Sequence, residues 1–293
     1  MSARSWAMLI LLGALWGGSF YFARIAVMQI EPFMLVAMRV AIAAAALWIW
    51  LLAARIDFRP MKAQWAPLLF LALINNVIPF SLIFIGQTAI GAGLASIMNA
   101  TTPFWTALIA WGFAVEARPA MHKFAGIAIG VAGAAVMLAP GMAEAGGGNV
   151  FAKLAVVGAA ISYGFAATFA RRFRGLPPTL VATGQLTGST LLMIPVVAFA
   201  GDFASGLAAD PRVLIAVAAL ALASTAFAYV LYFRLIATAG ATNAALVTLI
   251  VPVSALLLGV LLLGEKLALH ELVGMGVILF GLLVIDGRLF ARR

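Results

Sequence analysis

The sequence predicts an all-α integral membrane protein: ten transmembrane helices in two inverted five-helix repeats around a central cavity, both termini cytoplasmic. Three observations carry this expectation. Of 293 residues, 66% are hydrophobic and 9% charged, with a mean hydropathy of +1.16. Soluble domains are about 45–50% apolar and about 25% charged, so this chain needs lipid as its solvent. Apolar runs of about 20 residues, the length that crosses roughly 30 Å of hydrocarbon, recur along the whole chain. Finally, one stretch occurs twice. Ala95-Ser-Ile-Met-Asn-Ala-Thr-Thr-Pro103 leads to Glu116, and Ala244-Ala-Leu-Val-Thr-Leu-Ile-Val-Pro252 leads to Glu265, an offset of 149 residues (265 − 116 and 252 − 103).

The predicted spans are 6–28, 33–54, 65–88, 92–114, 120–139, 151–172, 178–200, 211–236, 241–263 and 268–286. Proline marks most of the breaks, as in Glu31-Pro32, Arg59-Pro60, Arg118-Pro119, Pro177-Pro178 and Asp210-Pro211; it stops one helix and is accepted in the first turn of the next. The first run is too long for a signal-peptide core and lacks a small-residue cleavage site, so it is expected to remain as a membrane helix. Gly146-Gly147-Gly148 sits in the longest break. The expected organisation is a first repeat at 1–140, a Gly-rich linker at 141–149 and a second repeat at 150–293.

Orientation follows from the basic residues. With a cytoplasmic amino terminus, thirteen Lys and Arg fall in inside loops (Arg4, Arg55, Arg59, Lys62, Arg118, Lys123, Arg171, Arg172, Arg174, Arg234, Arg288, Arg292, Arg293). Four fall outside: Arg24, Lys153, Arg212 and Lys266. Positive flanks stay on the cytoplasmic side, and five spans per half then give the halves opposite topology. The same placement accounts for the net charge of +9 without nucleic acid, for which no soluble segment is available.

Other pairs share the offset: Asn75-Asn76 with Ser224-Thr225, Phe80 with Tyr229, and Phe84 with Phe233. Helix breaks at corresponding places in two halves are the sequence mark of a transporter, with its site near the breaks. Pro79, Pro103 and Pro252 are the expected breaks, because each removes a ladder hydrogen bond and frees a carbonyl; a packing kink is the plainer reading.

Polar residues inside apolar spans define the candidate site. Asn75, Asn76, Gln87, Asn99, Ser224, Tyr229 and Asn243 are costly in lipid and should face a partner helix or a wet cavity. Their concentration in matching helices favours the cavity. Trp16, Ser19, Phe80, Phe84 and Tyr163 are expected on the same wall. Arg39 is the one charge well inside a span; it either faces the cavity or snorkels to the interface, about seven residues away at Pro32. Glu116 and Glu265 fall at helix ends and are expected to accept hydrogen bonds from the amino end of the next helix. Gly126, Gly130 and Gly133, with Gly274, Gly276 and Gly281, permit close helix packing, within the chain or between copies.

Chemistry other than transport lacks its parts. The chain has no cysteine, hence no disulfide or thiolate metal site. It also has no His/Asp cluster, no HExxH pattern and no glycine loop before a basic nucleotide site. No enzyme activity, cofactor or metal is expected.

The stretch Leu220-Ala-Leu-Ala-Ser-Thr-Ala-Phe-Ala-Tyr229-Val-Leu-Tyr232, followed by Gly240, Pro252 and Gly264-Glu265, resembles the EamA-type signature of the drug/metabolite transporter superfamily. Gly13-Ala-Leu-Trp16-Gly-Gly-Ser19 is similar to that family's first helix. The resemblance covers essentially the whole chain. It implies ten helices, an inverted repeat, and a cavity lined mainly by helices 1, 3, 4, 6, 8 and 9. The uncharged, aromatic cavity is similar to what YddG-type aromatic amino-acid exporters need. A first-helix Glu, as in small multidrug transporters, is absent. Sugar-nucleotide and triose-phosphate carriers would need several deep cations, and only Arg39 is present.

The expected function is therefore export, by alternating access, of neutral or aromatic amino acids or similar small metabolites across a bacterial cytoplasmic membrane. The expected partners are that solute and the lipid bilayer, with a monomer favoured. The alternatives are a broad drug or toxin exporter of the same fold, a carrier of anionic phosphates, which would require Arg39 in the cavity, and a non-transporting membrane scaffold.

Overall fold

The structure is a computed structural model and describes residues 2–113, 121–143, 148–239, 244 and 246–286. All its regular elements are helical among these residues. The long ones are α1 (Ala3–Ala26), α2 (Pro32–Ala53), α3 (Trp65–Ala89), α4 (Ala92–Asn99), α5 (Thr102–Gly112) and α6 (Met121–Ala143). They continue with α7 (Gly148–Ala170), α8 (Pro178–Ala200), α9 (Pro211–Ala221, running on through Leu222–Phe227 and Ala228–Ala239), α10 (Val247–Leu263) and α11 (Leu269–Asp286). Among the described residues, six helical spans are long and apolar enough to cross a membrane: α1, α2, α3, α8, and the stretches Val150–Phe173 and Pro211–Tyr232. Both α10 and the apolar parts of α6 and α11 are shorter. The chain is a multi-pass membrane protein.

Local chemistry sets the helix ends. Glu31 caps α2, its carboxylate accepting from Phe33 N and Met34 N at 2.9 Å each, and Pro32 loses nothing at a position whose N–H has no helical partner. α10 stops at Gly264, whose φ of 66° is left-handed, a conformation glycine adopts without steric cost.

Two helices contain a turn of π-helix, at Leu73–Val77 in α3 and Leu222–Phe227 in α9. The turns start 149 residues apart (222 − 73), and each has a local cause. Pro79 has no N–H for the Asn75 carbonyl four residues back. In α9 the Thr225 hydroxyl donates to the Leu220 carbonyl at 2.8 Å and occupies a ladder acceptor. A side chain or proline intruding on the ladder widens the turn.

The expected breaks divide three ways. Pro103 opens α5 after a two-residue interruption at Ala100 and Thr101, so that span is broken. Pro79 widens a turn and the helix continues. Pro252 was expected to break its helix and does not; α10 runs through it. Pro252 has no N–H for the Thr248 carbonyl four residues back, and Thr248 lines the central cavity, a setting in which a membrane helix accepts a proline. Residues 240–243 and 245, just before α10, lie outside the described residues, as do Gly240, Asn243 and Glu116.

The packing runs mostly between the two parts of the chain. α1 lies against α9 and α10, α7 against α3 and α5, α2 against α8, and α4 against α10. α6 and α11 pair closely on glycine: a Cβ on Gly133 would stand 2.9 Å from the Gly274 carbonyl oxygen, and one on Gly281 would stand 2.8 Å from the Gly126 carbonyl oxygen. The small-residue faces therefore join two helices of one chain.

Candidate functional site: a central cavity

Between these helices lies a cavity of about 730 Å³, within the size range of small-molecule sites. Its wall is mostly apolar. Trp16 and Phe20 come from α1; Phe80, Ile83 and Phe84 from α3; Tyr163 from α7; Tyr229 and Tyr232 from α9. Trp16 and Tyr232 touch with ring centres 5.2 Å apart, and Phe80 and Phe84 are nearly parallel, at 6.4 Å.

Polar groups are few and converge near the π turns. Asn75 donates to Gln185 Oε1 at 2.8 Å, and the Tyr229 hydroxyl joins these two amides. Arg39 is buried and reaches inward. Its Nε donates to Thr225 Oγ1 at 2.9 Å, and its guanidinium lies 3.7 Å from the Phe80 ring centre. Snorkelling, the competing expectation, is overturned because the aromatic face and the hydroxyl hold the head within the bundle. Asn99 Oδ1, Gln87 Oε1 and Ser224 Oγ are buried lining atoms without a described hydrogen-bond partner.

Of the expected site residues, Trp16, Ser19, Asn75, Phe80, Phe84, Gln87, Asn99, Tyr163, Ser224 and Tyr229 line this cavity, as do Arg39, Pro103 and Pro252. Asn76 does not. It points to the other side of α3, is fully buried, and donates to Ser189 Oγ at 2.9 Å, tying α3 to α8. Adjacent helical positions differ in direction by about 100°, so two neighbouring amides rarely share one wall. Pro79 is buried outside the lining, and Asn243 lies outside the described residues. Sequence reasoning did not single out Ser96, Phe173, Arg174 or Leu176 as lining residues. Arg174 carried a signal only as one more basic residue of a loop.

The two ends of the cavity differ. At one end the lining reaches Phe173, Arg174, Leu176 and Pro178, and Arg174 and Pro178 are exposed. This is the end rich in basic loop residues. The opposite end is closed by hydrogen bonds. Glu265 accepts from Ala92 N at 2.6 Å and Gly93 N at 3.1 Å, at the amino end of α4. Sequence reasoning expected the next helix to supply these donors. The partner is instead 173 residues away in the chain, because Gly91 and Gly259 leave the carboxylate room: a Cβ on either would come within 2.6 Å of it. Arg24 donates to the carbonyls of Gln87 and Thr88, Gln87 donates to the Phe20 carbonyl at 2.8 Å, and Gln29 donates to Asp210 at 2.6 Å.

A multi-helix membrane bundle around an aromatic cavity that opens at one end has the architecture of a small-solute carrier. The profile of the EamA-like transporter family matches residues 4–139 and 150–286, and the chain belongs to that family. An uncharacterized transporter of Archaeoglobus fulgidus is 26% identical over 96% of this chain and 98% of its own length. The uncharacterized inner membrane transporter YedA of Escherichia coli K12 is 28% identical, over 94% of this chain and 89% of that one. A solved crystal structure superposes over 100% of both chains with a TM-score of 0.68 at 20% identity, which bears on the fold alone.

Proposed function

We propose that this transporter exports a neutral or aromatic amino acid, or a similar small metabolite, across a bacterial inner membrane by alternating access. The observation that carries the reading is the cavity itself. Its volume fits one small solute, its wall offers aromatic rings for an apolar side chain, and amides and one guanidinium sit where a polar end would lie. The inner membrane is supported by the likeness to YedA, so described in Escherichia coli.

The ten-span inverted repeat is part of this proposal. It is supported by the offset of 149 shared by the two π turns, by the two stretches of family match, and by the reciprocal packing of α1 on α9 and α10 and of α7 on α3 and α5. Its two halves divide near residues 141–149. In alternating access one half rocks against the other around a fixed site. The polar contacts closing one end join the halves through Glu265 with α4 and Gln29 with Asp210; they would break when that end opens. The basic residues around the open mouth support a cytoplasmic placement for it and for both termini.

A broad drug exporter of the same fold is the second reading, favoured by the extent of apolar wall. The two separate by substrate. Purified protein in liposomes should exchange radiolabelled phenylalanine saturably, and a panel of lipophilic cations should neither be carried nor compete. Carriage of the cations with no amino-acid exchange would replace the first reading by the second.

A further inference from the structure

Among the described residues Arg39 is the only charged side chain on the deep wall of the cavity, since Arg174, the other charge in the lining, is exposed at the mouth. No Asp or Glu lines the cavity among the described residues. Six carboxylates are used elsewhere. Glu31, Asp57, Asp202 and Glu265 accept from backbone amides near helix starts, Asp210 accepts from Gln29, and Glu271 pairs with Lys153. Arg39 has instead a neutral hydroxyl, Thr225 Oγ1, and the faces of Phe80 and Phe84. Burying a charge is costly unless an opposite charge or a full set of hydrogen bonds compensates it.

We propose that Arg39 anchors the carboxylate of the transported solute, so that an organic monocarboxylate end group is required for recognition. The geometry points to this in three ways. Thr225 takes Nε, and Phe80 covers the guanidinium face. The two Nη groups remain along an edge suited to the two oxygens of a carboxylate. Thr225, in the π turn, is itself held by its bond to the Leu220 carbonyl just before that turn, so the guanidinium is fixed before the solute arrives. The exposed Arg174 adds positive charge at the mouth, which attracts anions on approach. A single deep guanidinium matches one negative charge; a phosphate dianion would need more. The unpaired Asn99 Oδ1 is an acceptor without a donor, suited to an ammonium or hydroxyl on the same solute.

This inference rests on the transporter reading but not on amino acids being the cargo, and its test is chosen to separate the two. The melting temperature of the purified protein would be titrated with 3-phenylpropionate, L-phenylalanine, L-phenylalaninamide, phenethylamine and phenyl phosphate. Phenylpropionate and phenylalanine should stabilise it, and the amide and the amine should require at least tenfold higher concentrations. Arg39→Gln, which keeps a donor for Thr225, should abolish the preference for the acids; Thr225→Val should weaken it with the charge intact. Equal shifts by acid and amide would overturn the anchor, as would an acid preference that survives Arg39→Gln, or no shift by any carboxylate. A stronger shift by phenyl phosphate than by phenylpropionate would overturn the carboxylate assignment. If phenylpropionate binds through Arg39 while liposomes carry no amino acid, the anchor stands and the amino-acid reading falls.

Discussion

Glu265→Gln should unseal the closed end of the cavity. In the structure one carboxylate oxygen faces Ala92 N at 2.6 Å and the other faces Gly93 N at 3.1 Å. Glutamine keeps one acceptor and turns an NH₂ toward the second donor. The loss of one charge-assisted bond amounts to roughly 1.5–3 kcal/mol. Removing the charge from the amino end of α4 adds about 0.3–1 kcal/mol. A shift of about 2–4 kcal/mol corresponds to roughly 30–700-fold in the balance between sealed and opened states, at 1.4 kcal/mol per factor of ten. The chain has no cysteine, so a single Ser19→Cys in the cavity wall can be labelled without background. In vesicles, the Ser19→Cys protein with Glu265 intact should react with an impermeant maleimide added on one side only. Glu265→Gln should raise the rate from the other side by at least tenfold. Gly259→Ala should act in the same direction, because its Cβ would stand 2.4 Å from Glu265 Oε2 and displace the carboxylate. If neither variant changes labelling from the sealed side, Glu265 is a helix cap and no part of the closure.

Adjacent amides should separate by role. Asn75→Ala should weaken solute exchange several-fold and alter competition by solute analogues, whereas Asn76→Ala should lower thermal stability, by roughly 0.6–1.7 kcal/mol for a lost interhelical bond, with selectivity unchanged; exchange kinetics and melting curves on both variants check this. Gly17→Ala should destabilise the pairing of α1 and α10, because its Cβ would lie 2.0 Å from Ser254 Oγ and 2.8 Å from the Ala255 backbone nitrogen. Overpacking of this kind costs about 1–3 kcal/mol, readable as a lower melting temperature. Trp16→Ala should raise the half-saturation concentration for aromatic solutes more than for small ones, since the ring pairs with Tyr232 on the cavity wall.

The helices were legible because twenty-residue apolar runs have few other fates, and proline and glycine at their ends are local signals. The cavity wall was legible where a polar or aromatic residue sat too deep for lipid, as with Asn75, Asn99 and Tyr163. Asn76 misled because composition places a residue in a span but does not give its direction around the helix, and the π turn shifts that direction again. Pro252 misled because a proline breaks a helix only where the freed carbonyl has no suitable surroundings. Arg39 was undecidable from sequence, since its reach toward the interface is a matter of length alone; Thr225 and Phe80, far away in the chain, determine its direction. Arg174 could not be told from an orienting charge until α7 and α8 were seen to frame the mouth. Glu265 was recognised as an acceptor of helix amides, yet its partner depended on a close approach between α10 and α4 that only the fold provides.

The most direct measurement is counterflow of radiolabelled phenylalanine by the purified protein in sealed liposomes, with no pH or sodium gradient. Saturable exchange that is weakened several-fold in Asn75→Ala protein and moved to a higher half-saturation concentration in Trp16→Ala protein is the expected result, and it would mean that the cavity carries solute by rocking between two accesses. No exchange of any amino acid, in vesicles where both variants and wild type insert equally, would contradict amino-acid export by this cavity.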